Sequence, residues 1–126
     1  MWFNKPTSKS TGAYFEQLAK QYLIDKGLLL ITENFHSRFG EIDLIMKDGD
    51  YLVFIEVKYR ANNMFGEPSE LVDQDKQIKI ANTAQIYLQK HELSEYNTLI
   101  RFDVVSIKGP ASSAKINWLK NAFHGV

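Results

Sequence analysis

The chain of 126 residues contains no cysteine. Disulfides and thiolate zinc sites are therefore excluded outright, and a reducing compartment fits. There is no long apolar run: Leu28 to Ile31 is far too short to span a bilayer, and Met1 to Pro6 lack the apolar segment of a signal peptide. A cytoplasmic protein with no membrane partner is the expectation. Neither sign of charge is in excess, since 15 Lys and Arg meet 15 Asp and Glu. A protein that holds nucleic acid mainly by neutralising phosphates is usually more basic. The balance counts against a tight, non-specific DNA binder, but leaves room for an enzyme whose basic patch and acidic metal site cancel. His36, His91 and His124 lack ligand spacing, and no glycine-rich phosphate loop or Ser or Cys nucleophile set stands out.

What is present is one ordinary globular domain's worth of apolar and charged residues, 44% and 24% of the chain. No repeat or linker divides it. Residues 1–10 are polar and read as a flexible N-terminal arm, leaving 11–126 as a single domain. From Gly12, Tyr14, Leu18, Ala19, Tyr22 and Leu23 recur at helical steps until Gly27 supplies a stop. Residues 28–34 read as a short strand. Over 40–46, alternation places Glu41, Asp43 and Ile45 on one face and Ile42, Leu44 and Met46 on the other. Asp48-Gly49-Asp50 signals a hairpin turn. Residues 51–58 are apolar on both faces up to Glu56, as in a central strand.

A loop over 60–68 leads to a long helix beginning at Ser69 or Asp73 and ending near Leu93, with a core stripe of Ile80, Ala81, Ala84, Tyr87 and Leu88. Strands over 98–107 and 115–120 follow. The order α-β-β-β-α-β-β describes a mixed α/β domain. Phe102-Asp103 reads as a structural core position, its aspartate paired with a basic neighbour, and Trp118 reads as core.

Two of the strands carry charge where apolar residues are expected: Asp43 in the one, Glu56 and Lys58 in the other. An unpaired ionised carboxylate inside an apolar sheet costs on the order of several kcal/mol. If the strands pair across the hairpin, residue 43 falls opposite 55 or 56, and the two carboxylates can converge. A hard divalent cation relieves their repulsion, and Mg²⁺ suits one or two carboxylates with waters and phosphate oxygens filling the remainder. Lys58 then stands beside the water that such an ion activates. The competing reading is an ion-pair network at a sheet edge.

The pattern resembles the PD-(D/E)XK nuclease superfamily, the restriction-endonuclease-like core shared with archaeal Holliday junction resolvases. It is closer still to the bacterial UPF0102 (YraN) family. The likeness runs through Gly12-x-x-x-Glu16-x-x-Ala19, Gly40-Glu41-Ile42-Asp43-Leu44-Ile45, Val53 to Arg60, Phe65-Gly66, Lys76, Arg101 to Val105 and Asn121-Ala122-Phe123. Ile42 stands where the superfamily's name has proline.

The resemblance implies a restriction-endonuclease-like mixed sheet flanked by two helices. It implies a Mg²⁺-dependent endonuclease, with Mn²⁺ as a substitute, acting on DNA that is branched or damaged. Asp43 and Glu56 match the metal carboxylates, Lys58 the catalytic lysine, and Glu16 the first-helix glutamate that completes the metal site. Lys76 or Gln77 matches a residue touching the backbone phosphate. With Arg38, Arg60, Lys58 and Lys79, Lys76 would form a phosphate-contacting rim, although Lys76 and Lys79 also read as a plain solvated face. Glu41 shares a face with Asp43 and reads as an edge charge in preference to a residue supporting Asp43 from behind. Related resolvases cut as homodimers, and the same assembly is open to this chain. The alternative function is a catalytically inactive nucleic-acid-binding or scaffold protein on the same fold.

Overall fold

A computed structural model describes residues 8–60 and 72–124. Helix α1 spans Ser8–Asp25 and is followed by strands β1 (Leu29–Ser37), β2 (Gly40–Asp48) and β3 (Tyr51–Arg60). Helix α2 (Gln74–Lys90) precedes β4 (Ile100–Lys108), a single 3-10 turn at Ala111–Ser113, and β5 (Lys115–Phe123). The strands form one sheet in the order β1-β2-β3-β4-β5. Only the β3–β4 pair is parallel; the others are antiparallel. This is the expected α/β architecture, with a helix on each face of a mixed sheet. Helix α1 starts at Ser8, ahead of the expected start at Gly12; residues 1–7 of the expected arm and the loop carrying Phe65-Gly66 lie outside the described residues.

Helix α2 follows the sequence reading closely. Asp73 caps it, accepting from the Lys76 N–H at 2.8 Å, a bond that satisfies one of the first-turn donors. Ile80, Ala81, Ala84, Tyr87 and Leu88 are all buried, and pack with Ile42, Ile45, Phe54, Phe102 and Val104 on one side of the sheet. On the other side, Phe15, Ala19 and Leu23 of α1 pack with Leu44, Met46, Val53, Ile55 and Val105. The buried stripe of α1 therefore begins at Phe15, not at Tyr14, which is 49% exposed. Phe15 is selected because Tyr59 stacks on its ring, centroids 3.7 Å apart and planes 11° from parallel. Among the described residues no helix is long and apolar enough to cross a membrane.

Asp103 is fully buried on β4 and belongs to a structural network. Arg101 donates to both of its carboxylate oxygens at 2.9 Å and to Asp48 Oδ2 at 2.8 Å. Trp118 Nε1 and the Asn121 N–H each donate to Asp103 at 2.9 Å. The register of β4 with β5 shifts between Phe102 and Val104, and Asn121 has φ 53°. The bulge turns the Asn121 amide onto the carboxylate.

Candidate active site

The site begins where β2 and β3 part. Their ladder runs from Asp48–Tyr51 across the two-residue turn Gly49-Asp50 to Leu44–Ile55, the last pair. The next step would set Asp43 against Glu56. Instead, the Val57 N–H donates to Asp43 Oδ2 at 2.8 Å, so a side chain takes the bond a backbone carbonyl would have taken. The strict alternation expected over 40–46 fails at the same place. Ile42 packs on the α2 side with Ile45, while Leu44 and Met46 pack on the α1 side. The gap between the strands is the physical reason, since Asp43 turns into it.

Glu56 follows Phe54 on the α2 face of β3. It is only 5% exposed, and its Oε2 lies 3.5 Å from both Lys58 Nζ and Lys76 Nζ. Its Oε1 is buried with no hydrogen-bond partner among the described residues. Asp43 lies within hydrogen-bonding reach of Glu56, and its pKa is pushed up to about 8. Burial is the main cause and the Glu56 charge the second, opposed by the bond from Val57. The two carboxyl groups thus form one crowded, poorly solvated acidic pair beside two lysines.

Glu16 reaches the same field from α1. Its pKa is raised by burial first, then by Glu41, with smaller contributions from Glu56 and Glu33. Asn34 joins these groups. It occupies the β1 position facing Asp43, between the pairs Glu33–Leu44 and Phe35–Ile42, with φ 51°. Oriented with its amide nitrogen toward the carboxylates, it donates to Glu41 Oε2 at 2.7 Å and Glu16 Oε1 at 3.0 Å. Glu41, expected as an edge charge, is thereby tied to Glu16. Sequence reasoning passed over Asn34; the usable signal is an asparagine inside a strand, a residue type that tolerates the left-handed conformation. Among the described residues, no three Asp, Glu or His side chains meet at metal-ligand distance. Asp43 and Glu56 form the close pair, and Glu16, held by Asn34, adds its charge to theirs.

The expected basic rim divides. Lys76 joins the carboxyl pair directly. Lys79, one turn on, is exposed, its Cβ beside Gly40 at the end of the β1–β2 hairpin. Arg38 is exposed at the tip of that hairpin, its guanidinium over the Phe39 ring. Arg60 ends β3, half-buried. Gln77 is committed to structure, its Nε2 donating to the Val72 carbonyl at 2.9 Å.

The profile of the family described as "Uncharacterised protein family UPF0102" matches residues 15–107, most of the chain and every residue of the site just described. A UPF0102 protein of Colwellia psychrerythraea is 46% identical over 128 residues, covering 98% of this chain and 99% of its own length. Relatives in Aliivibrio salmonicida and Legionella pneumophila, also UPF0102 proteins, are each 47% identical, covering 94% and 92% of this chain and 94% and 96% of their own.

Proposed function

The chain belongs to the UPF0102 family, and we propose that it is a metal-dependent nuclease of the PD-(D/E)XK type, hydrolysing phosphodiester bonds in DNA. One observation carries this reading: the buried Glu56 oxygen that no described residue satisfies, within reach of a second carboxyl group whose pKa is driven up to about 8. Leaving a buried polar atom unpaired costs about 1–3 kcal/mol, more for a charged group, and the second carboxyl group escapes repulsion only by holding a proton up to about pH 8. A hard cation bound by both removes both penalties. The donors are all oxygen, which fits Mg²⁺, with Mn²⁺ as a substitute.

Asp43 and Glu56 would hold the ion, and Glu16 would act on it through water. When bound, the ion polarises a phosphodiester and lowers the pKa of an accompanying water. The chain's own residues do the remaining work. The Val57 amide holds one Asp43 oxygen in place before any ion arrives. Lys58 would hold its ammonium beside the attacking oxygen and stabilise the negative charge that develops there. Lys76, paired with Glu56 at rest, turns to a backbone phosphate.

The test is cleavage of labelled linear duplex, single-stranded, nicked and four-way-junction DNA with Mg²⁺ or Mn²⁺, beside Glu56→Ala and Lys58→Ala. Metal-dependent cleavage lost in both variants supports the reading, and wild-type-like cleavage by both overturns it. A second reading, a nucleic-acid-binding scaffold without activity, draws on one feature: both lysines are paired with the single Glu56 carboxylate, which leaves one positive charge in excess. It predicts weak, salt-sensitive binding with no cleavage in any metal.

A further inference from the structure

The β1–β2 hairpin ends in a two-residue tip, Arg38-Phe39, at the end of β2 that carries Asp43. Phe39 is 39% exposed although phenylalanine has no polar handle to justify exposure. Arg38 covers part of the ring, its guanidinium 5.0 Å from the centroid. The tip is pinned in place. Ser37 Oγ accepts from the Phe39 N–H at 3.1 Å and lies 2.9 Å from the hydroxyl of Thr83, a fully buried residue of α2. It also donates to the Gly40 carbonyl at 3.4 Å. One O–H and two acceptor positions are thereby all used, with Thr83 donating.

The position of this tip gives it a use. Gly40, the next residue, lies against Lys79, so the tip sits beside the α2 surface that carries Lys76 to Glu56. Asp43 is four residues along β2 from Phe39, roughly 13 Å at the usual strand rise. An exposed aromatic ring on a pinned backbone, beside basic side chains and about two nucleotide lengths from Asp43, matches what single-stranded nucleic acid requires. Unpaired bases stack on aromatic rings while cations follow the phosphates. In a duplex the bases are stacked on one another and offer no free face.

We propose that Phe39 is a stacking platform for an unpaired base, so that the substrate of the adjoining site is a nucleic acid strand that is single or splayed open there. This rests on the nuclease reading for its catalytic meaning, but not for its test. Binding of fluorescein-labelled oligothymidylate, oligouridylate and a duplex of equal length is measured by anisotropy without divalent ions, in wild type, Phe39→Ala and Phe39→Trp. Single-strand affinity falls about 5- to 150-fold in Phe39→Ala and is retained in Phe39→Trp, while duplex affinity hardly moves. The thymidylate and uridylate arms tell DNA from RNA. Equal affinity of Phe39→Ala and wild type for single strands, an equal loss on duplex, or no single-strand binding by wild type overturns the proposal. Phe39-dependent binding without cleavage in any metal leaves the platform standing and removes the nuclease reading; cleavage with no dependence of binding on Phe39 does the reverse.

Discussion

The Val57 N–H donates to Asp43 Oδ2 at 2.8 Å, directly beyond the last rung of the β2–β3 ladder, Leu44 with Ile55. A backbone donor in a central strand is thus satisfied by a carboxylate in place of a neighbouring carbonyl, and the strand separation that results opens the site. Asparagine keeps an oxygen that can accept this bond and alanine does not. Asp43→Asn is expected to fold with little loss of stability and to lose cleavage. Asp43→Ala is expected to lose about 1–3 kcal/mol by orphaning the Val57 amide. Urea unfolding of the two variants, beside wild type, separates the structural part of Asp43 from its charge.

Asp43 gives the protein a pH dependence with a definite sign. Its pKa in the folded, metal-free protein is raised from 3.8 to about 8, so the folded state binds the proton more tightly than the unfolded chain. The associated stability is complete below pH about 4 and is lost as pH rises through about 8. Metal-free wild type is expected to melt progressively lower across that window, and Asp43→Asn to show a flatter profile. Mg²⁺, which competes with the proton, is expected to raise the melting temperature more at pH 8 than at pH 5. Thermal melts at the two pH values, with and without Mg²⁺, check this.

Glu56 holds Lys58 and Lys76 at 3.5 Å each. Neutralising it in Glu56→Gln is expected to reduce cleavage by about 100-fold or more, on the scale of removing one preorganised electrostatic group. The same change releases two cations. Without divalent ions, duplex affinity is expected to rise, with the salt dependence steepening by up to about 0.9 in log–log slope for each lysine that reaches a phosphate. A titration series in salt reads both effects, and an unchanged slope would show that the lysines do not reach the phosphates.

Arg101 and Asp103 are expected to matter for stability alone. Asp103 is fully buried and takes both of its strongest bonds from Arg101. Arg101→Ala leaves that carboxylate uncompensated, at a cost of about 3–5 kcal/mol. Denaturant unfolding measures this, and single-strand binding by the fraction that remains folded is expected to be unchanged.

Much of this protein was legible from residue pattern. The α2 stripe of Ile80, Ala81, Ala84, Tyr87 and Leu88 lies where a 3.6-residue period puts it. The Gly49-Asp50 turn sits where Asp48-Gly49-Asp50 signals it, and two carboxylates flanking that hairpin reach each other across it. Asp103 is structural and has a basic partner, as read. These features depend on neighbours close in sequence or on a register that one short turn fixes.

The face of each residue around Asp43 was decided elsewhere. Strict alternation assumes an unbroken ladder, and the ladder breaks because the Val57 amide finds a better-placed acceptor in a side chain. Likewise, the sequence by itself marked Glu16 and Glu41 as charged residues on a helix and a strand. Only the folded chain sets Asn34 in a left-handed conformation facing Asp43, where it joins the two. Periodicity and turn chemistry report short-range backbone preference, and they determined the elements and the identity of the acidic pair. The tilt of that pair into a gap, its burial and its raised pKa come from desolvation and from charges brought together from α1, β1, β2 and β3, which no local pattern encodes.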